Sequence, residues 1–376
     1  MSLNAAGIIF SNLSSNTISE MTDDRTVAAI PFGCRYRIVD FCLSNLVNAN
    51  ISNISVVANY NYRSLVDHIG SGKDFDLARR NGGINIMSPM KTSKTAASHL
   101  YESHLQVLVS MKEYINEFKE DVVILMDADH VMNIDLTPII EQHLRTDANI
   151  TFATAPVDRD FVSPRPRMMF TSVAGKITEV IIGTSYNEKA PEVSLNILIL
   201  STAFLRRMIA EAEENGLGNL TEYILRTCKY SNYRSFCYHG YVAPITSLLN
   251  YYRCSMQLVE DQRARESLLW QKDAPIYTKV HNSSPTKYSA DAVVQNSMIA
   301  DDCVIEGTVI NSIIARNVHI AKGAVVRNSV LFWGCNISKD AMVNCVVADK
   351  DVFISEGVQL SGNANLPIYI EKKRKV

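Results

Sequence analysis

A short motif repeated near the carboxyl end constrains the fold of this 376-residue chain more than any other feature. Four copies, each an Asn followed by Ser or Cys and then apolar residues, begin at Asn296, Asn311, Asn328 and Asn344. Within the first three copies, aliphatic residues lie six positions apart, as Ile299 and Ile305 do. One inward-pointing aliphatic residue per short strand, with three strands per coil, is typical of a parallel β-helix built from hexapeptides.

An antiparallel sandwich is the alternative fold for this region, since sandwiches also have short strands at even spacing. A sandwich gives no reason to repeat the residue that precedes each aliphatic one, whereas a solenoid stacks like residues on like. We therefore predict a β-helix over residues 291–365, preceded by a connector over 271–290 and followed by a tail over 366–376. The basic run at 372–375 matches a nuclear-localisation pattern by composition, and we interpret it as a solvated terminus.

Residues 1–270 show a different pattern, in which short apolar runs alternate with helical segments. Apolar runs of strand length occur at 5–10, 54–58 and 121–126. Alternation of this kind predicts a mostly parallel sheet covered by helices. The whole chain also exceeds the roughly 250–300 residues at which a single core stops growing, so the length favours two domains.

The composition excludes several classes of protein. The chain has 37 Lys and Arg against 39 Asp and Glu, a net charge of -2, so no overall basic field attracts nucleic acid. Its first ten residues include no basic segment and no continuous apolar run approaches 18 residues, so we expect neither a signal peptide nor a membrane span. The eight cysteines form no C-x-x-C pair, which favours reduced thiols and a cytoplasmic protein.

The segment 30–45, IPFGCRYRIVDFCLSN, is the most informative part of the first domain. It resembles P-F-G-G-K-Y-R-I-I-D-F-x-L-S-N, which follows the nucleotide loop of glucose-1-phosphate adenylyltransferases, the ADP-glucose pyrophosphorylases of glycogen and starch synthesis. Further segments that resemble this family lie at 64–70, 129–130, 241–258 and 275–278. The resemblance covers nearly the whole chain. It implies a Rossmann-like nucleotidyltransferase domain with a mixed, mostly parallel sheet, then a left-handed β-helix, in tetramers.

The sequence departs from the family at the positions that bind nucleotide. An ungapped match places Thr17 at the phosphate-binding Arg of the glycine-rich loop, and Val27 at the Lys of R-A-K-P-A-V-P. The loop glycines are also replaced, which blocks close approach of backbone N–H groups to a triphosphate. Met90 stands where the match places the Gln that reads adenine, and a thioether lacks the amide's donor and acceptor pair.

Two carboxylates hold Mg²⁺ in the family, one in G-D-H and one in Y-W-R-D-V-G. Asp129 matches the first, which makes it a weak candidate for a metal ligand, and Pro244 stands at the second. A carboxylate that caps the loop after a strand is the alternative role for Asp129. Loss of one transition-state group typically lowers a rate by about 10²–10³. With several such groups changed, the sequence predicts negligible catalysis by this chain alone.

A member that keeps the fold and loses the catalytic groups resembles the GlgD-type subunit of the family. The resemblance implies a regulatory, largely non-catalytic chain that assembles with catalytic GlgC-type chains into a heterotetramer, with a homo-tetramer as the alternative. It also implies that Mg²⁺ can be supplied through the partner subunit. Arg25 and Arg37 match positions of the family's anionic effector site, where a phosphorylated sugar is the implied ligand. Surface salt bridges are the alternative for both, and Asp24 stands at a further effector Lys position.

Three other functions stay open at this point. One is a weak adenylyltransferase that uses Asp129-bound Mg²⁺ and Lys94. The second is a stand-alone sugar-phosphate sensor without a partner. The third is a hexapeptide acyltransferase with His319 as its base, although a lone His beside repeating aliphatic residues is typical of a turn that faces solvent.

Overall fold

The computed structural model describes residues 4–11, 18–58, 60–78, 82–88, 103–157, 159 and 161–376. The strands of its first part are β1 (Ala5–Phe10), β2 (Pro31–Phe32), β3 (Tyr36–Arg37), β4 (Asn53–Val57), β5 (Gly83–Met87), β6 (Val122–Asp127), β7 (His130–Val131), β8 (Ile150–Pro156), β9 (Val162–Val173), β10 (Lys176–Ser185), β11 (Glu192–Ser201), β12 (Tyr233–Cys237) and β13 (Ala243–Pro244). The helices are α1 (Ser19–Thr22), α2 (Ile38–Asn48), α3 (Arg63–Ile69), α4 (His104–Ser110), α5 (Lys112–Asn116), α6 (Thr137–Arg145), α7 (Thr202–Asn215), α8 (Leu220–Thr227), α9 (Leu248–Glu260) and α10 (Gln262–Leu269).

A mixed sheet forms the centre of the first domain, with the strand order β5-β4-β1-β6-β11-β8-β12-β10-β9 in the described part. β1 runs parallel to β4 and β6, as the alternation of apolar runs and helices predicts. β1 and β6 are buried along their whole length, because helices cover both faces of the sheet. β11 runs antiparallel to both β6 and β8, a reversal that the alternation does not indicate.

Two elements differ from the sequence pattern. The pattern of apolar residues predicts a continuous helix over 247–269, but this segment is divided at Asp261, whose carboxylate accepts from Arg263 N (2.8 Å) and so begins a new helix, α10. β9 was not indicated by the sequence, because Pro164 and Pro166 interrupt its alternation of apolar and polar residues. β9 brings Arg165 within hydrogen-bond distance of Asp129.

The second part of the chain forms a left-handed parallel β-helix. Its strands are β14 (Lys287–Tyr288), β15 (Val293–Gln295), β16 (Met298–Ile299), β17 (Val304–Ile305), β18 (Thr308–Ile310), β19 (Ile313–Ile314), β20 (His319–Ile320), β21 (Val325–Arg327), β22 (Val330–Leu331), β23 (Asn336–Ile337), β24 (Met342–Asn344), β25 (Val346–Ala348), β26 (Phe353–Ile354), β27 (Gln359–Ser361) and β28 (Ile368–Ile370). Every third strand belongs to the same parallel sheet, so three sheets form the faces of the solenoid.

The aliphatic spacing is explained by the interior of this solenoid. Ile305, Ile320, Ile337 and Ile354 pair in register along one sheet, and all four are fully buried. The prediction of a β-helix from residues spaced six apart is therefore confirmed. Removing such a stack of side chains from water is the main stabilising contribution available to a thin solenoid.

The repeated Asn residues have a separate structural role. Asn296, Asn311 and Asn328 turn the chain in the left-handed region, with φ of 39°, 48° and 45°. Asn tolerates that conformation better than most residues. Their side-chain amides also stack from coil to coil: Asn296 Nδ2 donates to Asn311 Oδ1 (2.9 Å), and Asn328 Nδ2 donates to Asn344 Oδ1 (2.9 Å). One residue type thus supplies both the turn and the ladder.

The β-helix packs directly against the first domain through α9. The ring of Tyr251 meets Phe332 edge-on, with centroids 6.1 Å apart, and Tyr252 Oη donates to the backbone oxygen of Asn328 (2.7 Å). A single cluster of buried apolar residues continues from the sheet of the first domain through α9 to the β-helix.

The basic carboxyl end pairs with the last coil of the β-helix. Phe353 N donates to the backbone oxygen of Arg374 (2.9 Å), and Val376 N donates to that of Phe353 (2.9 Å). The Lys and Arg side chains of this end remain exposed. Its backbone is therefore ordered, while its charges face solvent.

None of the helices in the described ranges combines the length and the apolar run that a bilayer-spanning helix requires. All eight cysteines are free thiols.

Candidate functional site

The carboxyl end of β6 places Asp129 in the cleft of the first domain. β6 ends at Asp127, and the chain then turns into β7 at His130. β7 pairs with β13, where Pro244 lies opposite His130, and Ile245 N donates to the backbone oxygen of Asp129 (2.8 Å). The two positions that the sequence analysis matched to metal carboxylates thus lie close together. Only one of them has a side-chain oxygen.

Protein donors contact both carboxylate oxygens of Asp129, whose side chain is 2% exposed. His130 Nδ1 donates to Oδ1 at 2.5 Å. Arg165 Nη2 from β9 and Asn196 Nδ2 from β11 each donate to Oδ2 at 3.1 Å. The charge of the carboxylate is therefore balanced inside the protein.

The partners of His130 define its tautomer. Arg167 Nη2 lies 2.9 Å from His130 Nε2, and because a guanidinium only donates, Nε2 is the acceptor. The proton of the ring is then on Nδ1, where it is donated to Asp129. Burial lowers the pKa of His130, and the attraction of Asp129 does not compensate, so the ring is neutral at physiological pH. Arg167 is held in place by the backbone oxygen of Ser194 (2.7 Å).

The same neighbours keep Asp129 ionised. Burial alone would raise the pKa of Asp129, but His130, Arg167 and Arg165 hold that pKa well below its usual range. A carboxylate that stays ionised keeps its attraction for these donors over the whole physiological pH range. Their arrangement is therefore insensitive to pH near neutrality.

The residues of this cleft do not fit Mg²⁺. The ion requires several oxygen ligands in near-octahedral geometry. Asp129 already accepts three hydrogen bonds from protein groups, and Pro244 offers no carboxylate. No cluster of three or more His, Cys, Asp or Glu side chains that could hold a metal ion occurs in the described ranges.

Sequence reasoning identified Asp129 and Pro244 here and missed Arg165, Arg167 and Asn196. The two arginines lie two positions apart on β9, so they project from the same face of that strand. The R-P-R spacing was a possible signal, but only after the segment had been recognised as a strand. Nothing in the sequence indicated that this face would lie over Asp129.

A second pair of an acid and an imidazole lies beside this network. His104 Nε2, at the start of α4, lies 2.5 Å from Asp127 Oδ1, and its ring packs edge-on against Phe10. Burial alone would lower the pKa of His104, but Asp127 raises it above its ordinary value. The pair borders a cavity of about 70 Å³ that Asn196 also lines. The two acids at this end of β6 therefore both have protein partners.

A different site lies between the first domain and the β-helix. It is a cavity of about 240 Å³ with a predominantly basic lining. Its basic lining residues are Arg35, Arg37, Arg316, Lys350, His68 and His281. Arg316 pairs with Asp301, and His68 pairs with Asp40. Over the described ranges, the other two arginines and the lysine have no carboxylate within ion-pair distance.

The electrostatics of this basic pocket favour an anion. Arg37 Nη1 donates to the hydroxyl and backbone oxygens of Ser64, which are neutral acceptors. Burial lowers the pKa of Lys350 to about 8, and the charges of Arg37 and Arg25 add to the effect. Burial also lowers the pKa of Arg37, to about 10. Cations held near one another and out of water gain from an anion placed between them.

The structure separates the two arginines that the sequence analysis assigned together. Arg37 lines the basic pocket, whereas Arg25 is 1% exposed and bridges the two domains. Both carboxylate oxygens of Asp349 lie 2.9 Å from Arg25 Nη2, and Nε donates to Asp24 Oδ1 (3.0 Å). Tyr369 Oη donates to the other side of Asp349. The remaining nitrogen, Arg25 Nη1, is buried without an acceptor in the protein.

The other candidate residues lie in three different settings. Val27 is fully buried in the core of the first domain. Thr17, Met90 and Lys94 lie outside the described residues. His319 lies on the outer side of β20 with its Nε2 3.2 Å from the carboxylate of Glu306.

Comparison with known proteins shows similarity over both domains. The nucleotidyl transferase family model matches residues 7–162, and the GlmU-like C-terminal hexapeptide model matches residues 280–366. Glycogen biosynthesis protein GlgD of Bacillus subtilis (strain 168) is 30% identical over 370 residues, 97% of this chain and 95% of that protein. GlgD of Geobacillus stearothermophilus is 31% identical over 329 residues, which are 85% and 82% of the two chains. Glucose-1-phosphate adenylyltransferase of Mycoplasma mobile is 28% identical over 317 residues, 83% of this chain and 81% of that enzyme.

Proposed function

The chain belongs to the glucose-1-phosphate adenylyltransferase family, and from that premise we propose that it is a regulatory, largely non-catalytic subunit in the synthesis of ADP-glucose for glycogen. The reaction joins glucose-1-phosphate to the α-phosphate of ATP and expels pyrophosphate. The observation that supports the proposal most is the state of Asp129, which accepts from His130, Arg165 and Asn196, while Pro244 rather than a second carboxylate lies opposite the adjacent His130.

Phosphoryl chemistry requires cations aimed at the phosphates, because negative charge accumulates on the leaving group. In this cleft Arg165 is directed at Asp129 and Arg167 at His130, so both are engaged by the protein itself. Val27 adds no charge, since it is an apolar residue of the core. These features support low or negligible synthesis by the chain alone.

The partners that fit this proposal are catalytic GlgC-type chains of the same family, in a heterotetramer, which would also supply the Mg²⁺ site. A subunit without its own catalysis changes its partner's rate only by binding one conformational state of the partner better than another. Such coupling is typically worth about 1–3 kcal/mol, or 5–150-fold. ATP and sugar phosphates are cytoplasmic metabolites, so we place the complex in the cytoplasm.

The effector in this proposal is a phosphorylated sugar bound in the basic pocket. Arg37, Lys350 and Arg35 would receive the phosphate, since they lack carboxylate partners in the described part of the chain. Trp333 lines the same cavity and offers an aromatic face to a sugar ring. Arg25 does not line the pocket, and its side chain contacts Asp349 and Asp24 directly. Its positive charge acts on the pocket through Lys350, whose pKa it helps to lower.

The test is ADP-glucose synthesis from ATP and glucose-1-phosphate by this chain, by a catalytic family member from the same source, and by both at equal ratio. We expect no activity above background from this chain alone. The mixture should show a several-fold higher kcat or a lower KM than the catalytic chain alone. Synthesis by this chain at a rate near that of the catalytic chain would contradict the proposal.

Two arginines and a lysine of this one chain line the pocket without carboxylate partners in the described ranges, which is the observation that favours a stand-alone sugar-phosphate sensor as the second candidate. Co-purification with the catalytic chain distinguishes the two functions. The regulatory subunit should elute with its partner as one species of higher mass. A chain that binds sugar phosphate and ignores the catalytic chain would support the sensor.

A further inference from the structure

We propose that Arg165 is a built-in counter-ion that occupies, as a guanidinium, the place of a divalent cation beside Asp129, and thereby prevents metal binding in the cleft. This role of Arg165 goes beyond the regulatory function proposed above. The residues of the cleft do not meet the needs of Mg²⁺, and Pro244 explains the loss of one ligand. A single ionised carboxylate still attracts a hydrated cation unless something else neutralises it.

The contacts of Asp129 show what neutralises it. Oδ2 accepts from Arg165 Nη2 and from Asn196 Nδ2, both at 3.1 Å, while Oδ1 accepts from His130. Of these three donors, only Arg165 bears a formal charge, because His130 is neutral. Arg167 also attracts Asp129, but its hydrogen bonds go to His130 and Ser194, so Arg165 is the charged group in direct contact with the carboxylate.

The position of Arg165 also controls access. Its side chain is 22% exposed, whereas that of Asp129 is 2% exposed, so Arg165 is the member of the pair that solvent reaches more readily. Arg167, two residues along β9, lies deeper and is engaged with His130 and Ser194. An incoming cation would meet the charge of Arg165 before it reached Oδ2, and like charges repel.

Removal of Arg165 should consequently leave Asp129 with only neutral direct donors and open on its solvent side. We expect the Arg165→Ser chain to acquire one Mn²⁺ site, with an affinity at least tenfold above that of any Mn²⁺ binding by the unaltered chain. Mn²⁺ is the probe, since it takes the same oxygen ligands as Mg²⁺ and its free aqua ion has a measurable electron paramagnetic resonance signal. The titration is done on the full chain.

Three further chains make the result specific. Arg165→Ser combined with Asp129→Asn should lose the acquired site, because the carboxylate is its ligand. Arg165→Lys should bind no better than the unaltered chain, because it restores the positive charge. Arg207→Ser, which removes an exposed guanidinium paired with Glu211 on α7, is the matched control and should also be unchanged.

The proposal is overturned if the folded Arg165→Ser chain binds no more Mn²⁺ than the unaltered chain, or if its site survives Asp129→Asn. Should the serine variant fail to fold, Arg165→Gln keeps the stem and a donor without the charge, and the same two outcomes apply to it. Metal binding is read independently of ADP-glucose synthesis. If the Arg165→Ser chain acquires no Mn²⁺ site, only the role proposed for Arg165 is overturned. If mixing the two chains does not increase ADP-glucose synthesis, only the regulatory function is overturned.

Discussion

The bridge between Arg25 and Asp349 should be among the strongest single contacts between the two domains. Residues 324 apart in sequence meet here, and the side chains of both are 2% exposed. Two opposite charges about 4 Å apart attract by roughly 4 kcal/mol at the effective dielectric constant of about 20 that suits protein sites. Removing one partner of such a buried pair typically costs about 3–5 kcal/mol, because the other charge stays buried without compensation.

We therefore expect Asp349→Ala to lower the free energy of unfolding by about 3–5 kcal/mol. Arg25→Met should cost less, because Asp349 keeps the hydroxyl of Tyr369 and the backbone N–H of Lys350 as donors. The double variant should be more stable than the sum of the single effects implies, since it leaves no unpaired guanidinium. The difference is the coupling energy of the pair.

The measurement is urea unfolding of the full chain, followed by far-UV circular dichroism and by the fluorescence of its two Trp residues, Trp270 and Trp333. Lys372→Ala is the control, because it breaks the half-exposed pair with Asp24 in the same region, and exposed pairs are worth about 0–1 kcal/mol. If Asp349→Ala costs no more than Lys372→Ala, the bridge does not stabilise the domain contact and our reasoning about Arg25 is wrong.

Three further predictions concern other parts of the chain. Sulfate affinity of the basic pocket, measured by calorimetry between about pH 7 and 9, should fall by up to about tenfold per unit above pH 8, since Lys350 with a pKa of about 8 then loses its charge. Lys350→Met should remove the dependence in this range, and an unchanged profile would exclude Lys350 as the responsible group. Gly307→Ala should destabilise the β-helix in thermal unfolding, because the added Cβ would lie 2.4 Å from the backbone oxygen of Ala324. The Cβ added by Gly357→Ala meets no atom within 4 Å, so this control should cost only about 1 kcal/mol, the strain of a left-handed backbone conformation. Equal effects of the two substitutions would contradict this reasoning. The free energy of unfolding should decrease as pH falls from 6.5 towards 4, because burial lowers the pKa of His143 to about 4 and the unfolded chain takes up the proton first. The stability of the His143→Gln chain should depend less on pH in this range, and an identical pH profile would refute the assignment.

The fold was predictable where its cause is local. Aliphatic residues spaced six apart, such as Ile314 and Ile320, require short strands that each point one side chain into the interior of the coil. The repeated Asn residues of the first three copies supply left-handed turns, and Cys345 has that conformation in the fourth copy. The continuous apolar run of β6 likewise requires cover on both faces of a sheet.

The direction of β11 and the existence of β9 were not predictable in this way. The direction of a strand depends on the connections made across the whole sheet. The two prolines of β9 are typical of a loop, so the sequence pattern did not indicate a strand there. The consequence for the cleft is large, because β9 bears Arg165 and Arg167. Matching residues to a family pattern identifies positions whose chemistry has been lost, such as Pro244, but it does not reveal the side chains that have moved into their place.

The sequence by itself determined the two kinds of architecture and the loss of the second metal carboxylate, because periodicity and residue identity are properties of short segments. The tertiary structure alone decided that Asp129 pairs with Arg165, that Arg25 pairs with Asp349, and that Arg37 shares a basic pocket with Lys350. Each of these arrangements joins residues from distant parts of the chain. Their energies depend on distance and burial, which only the packing of the sheet, the cleft and the β-helix sets.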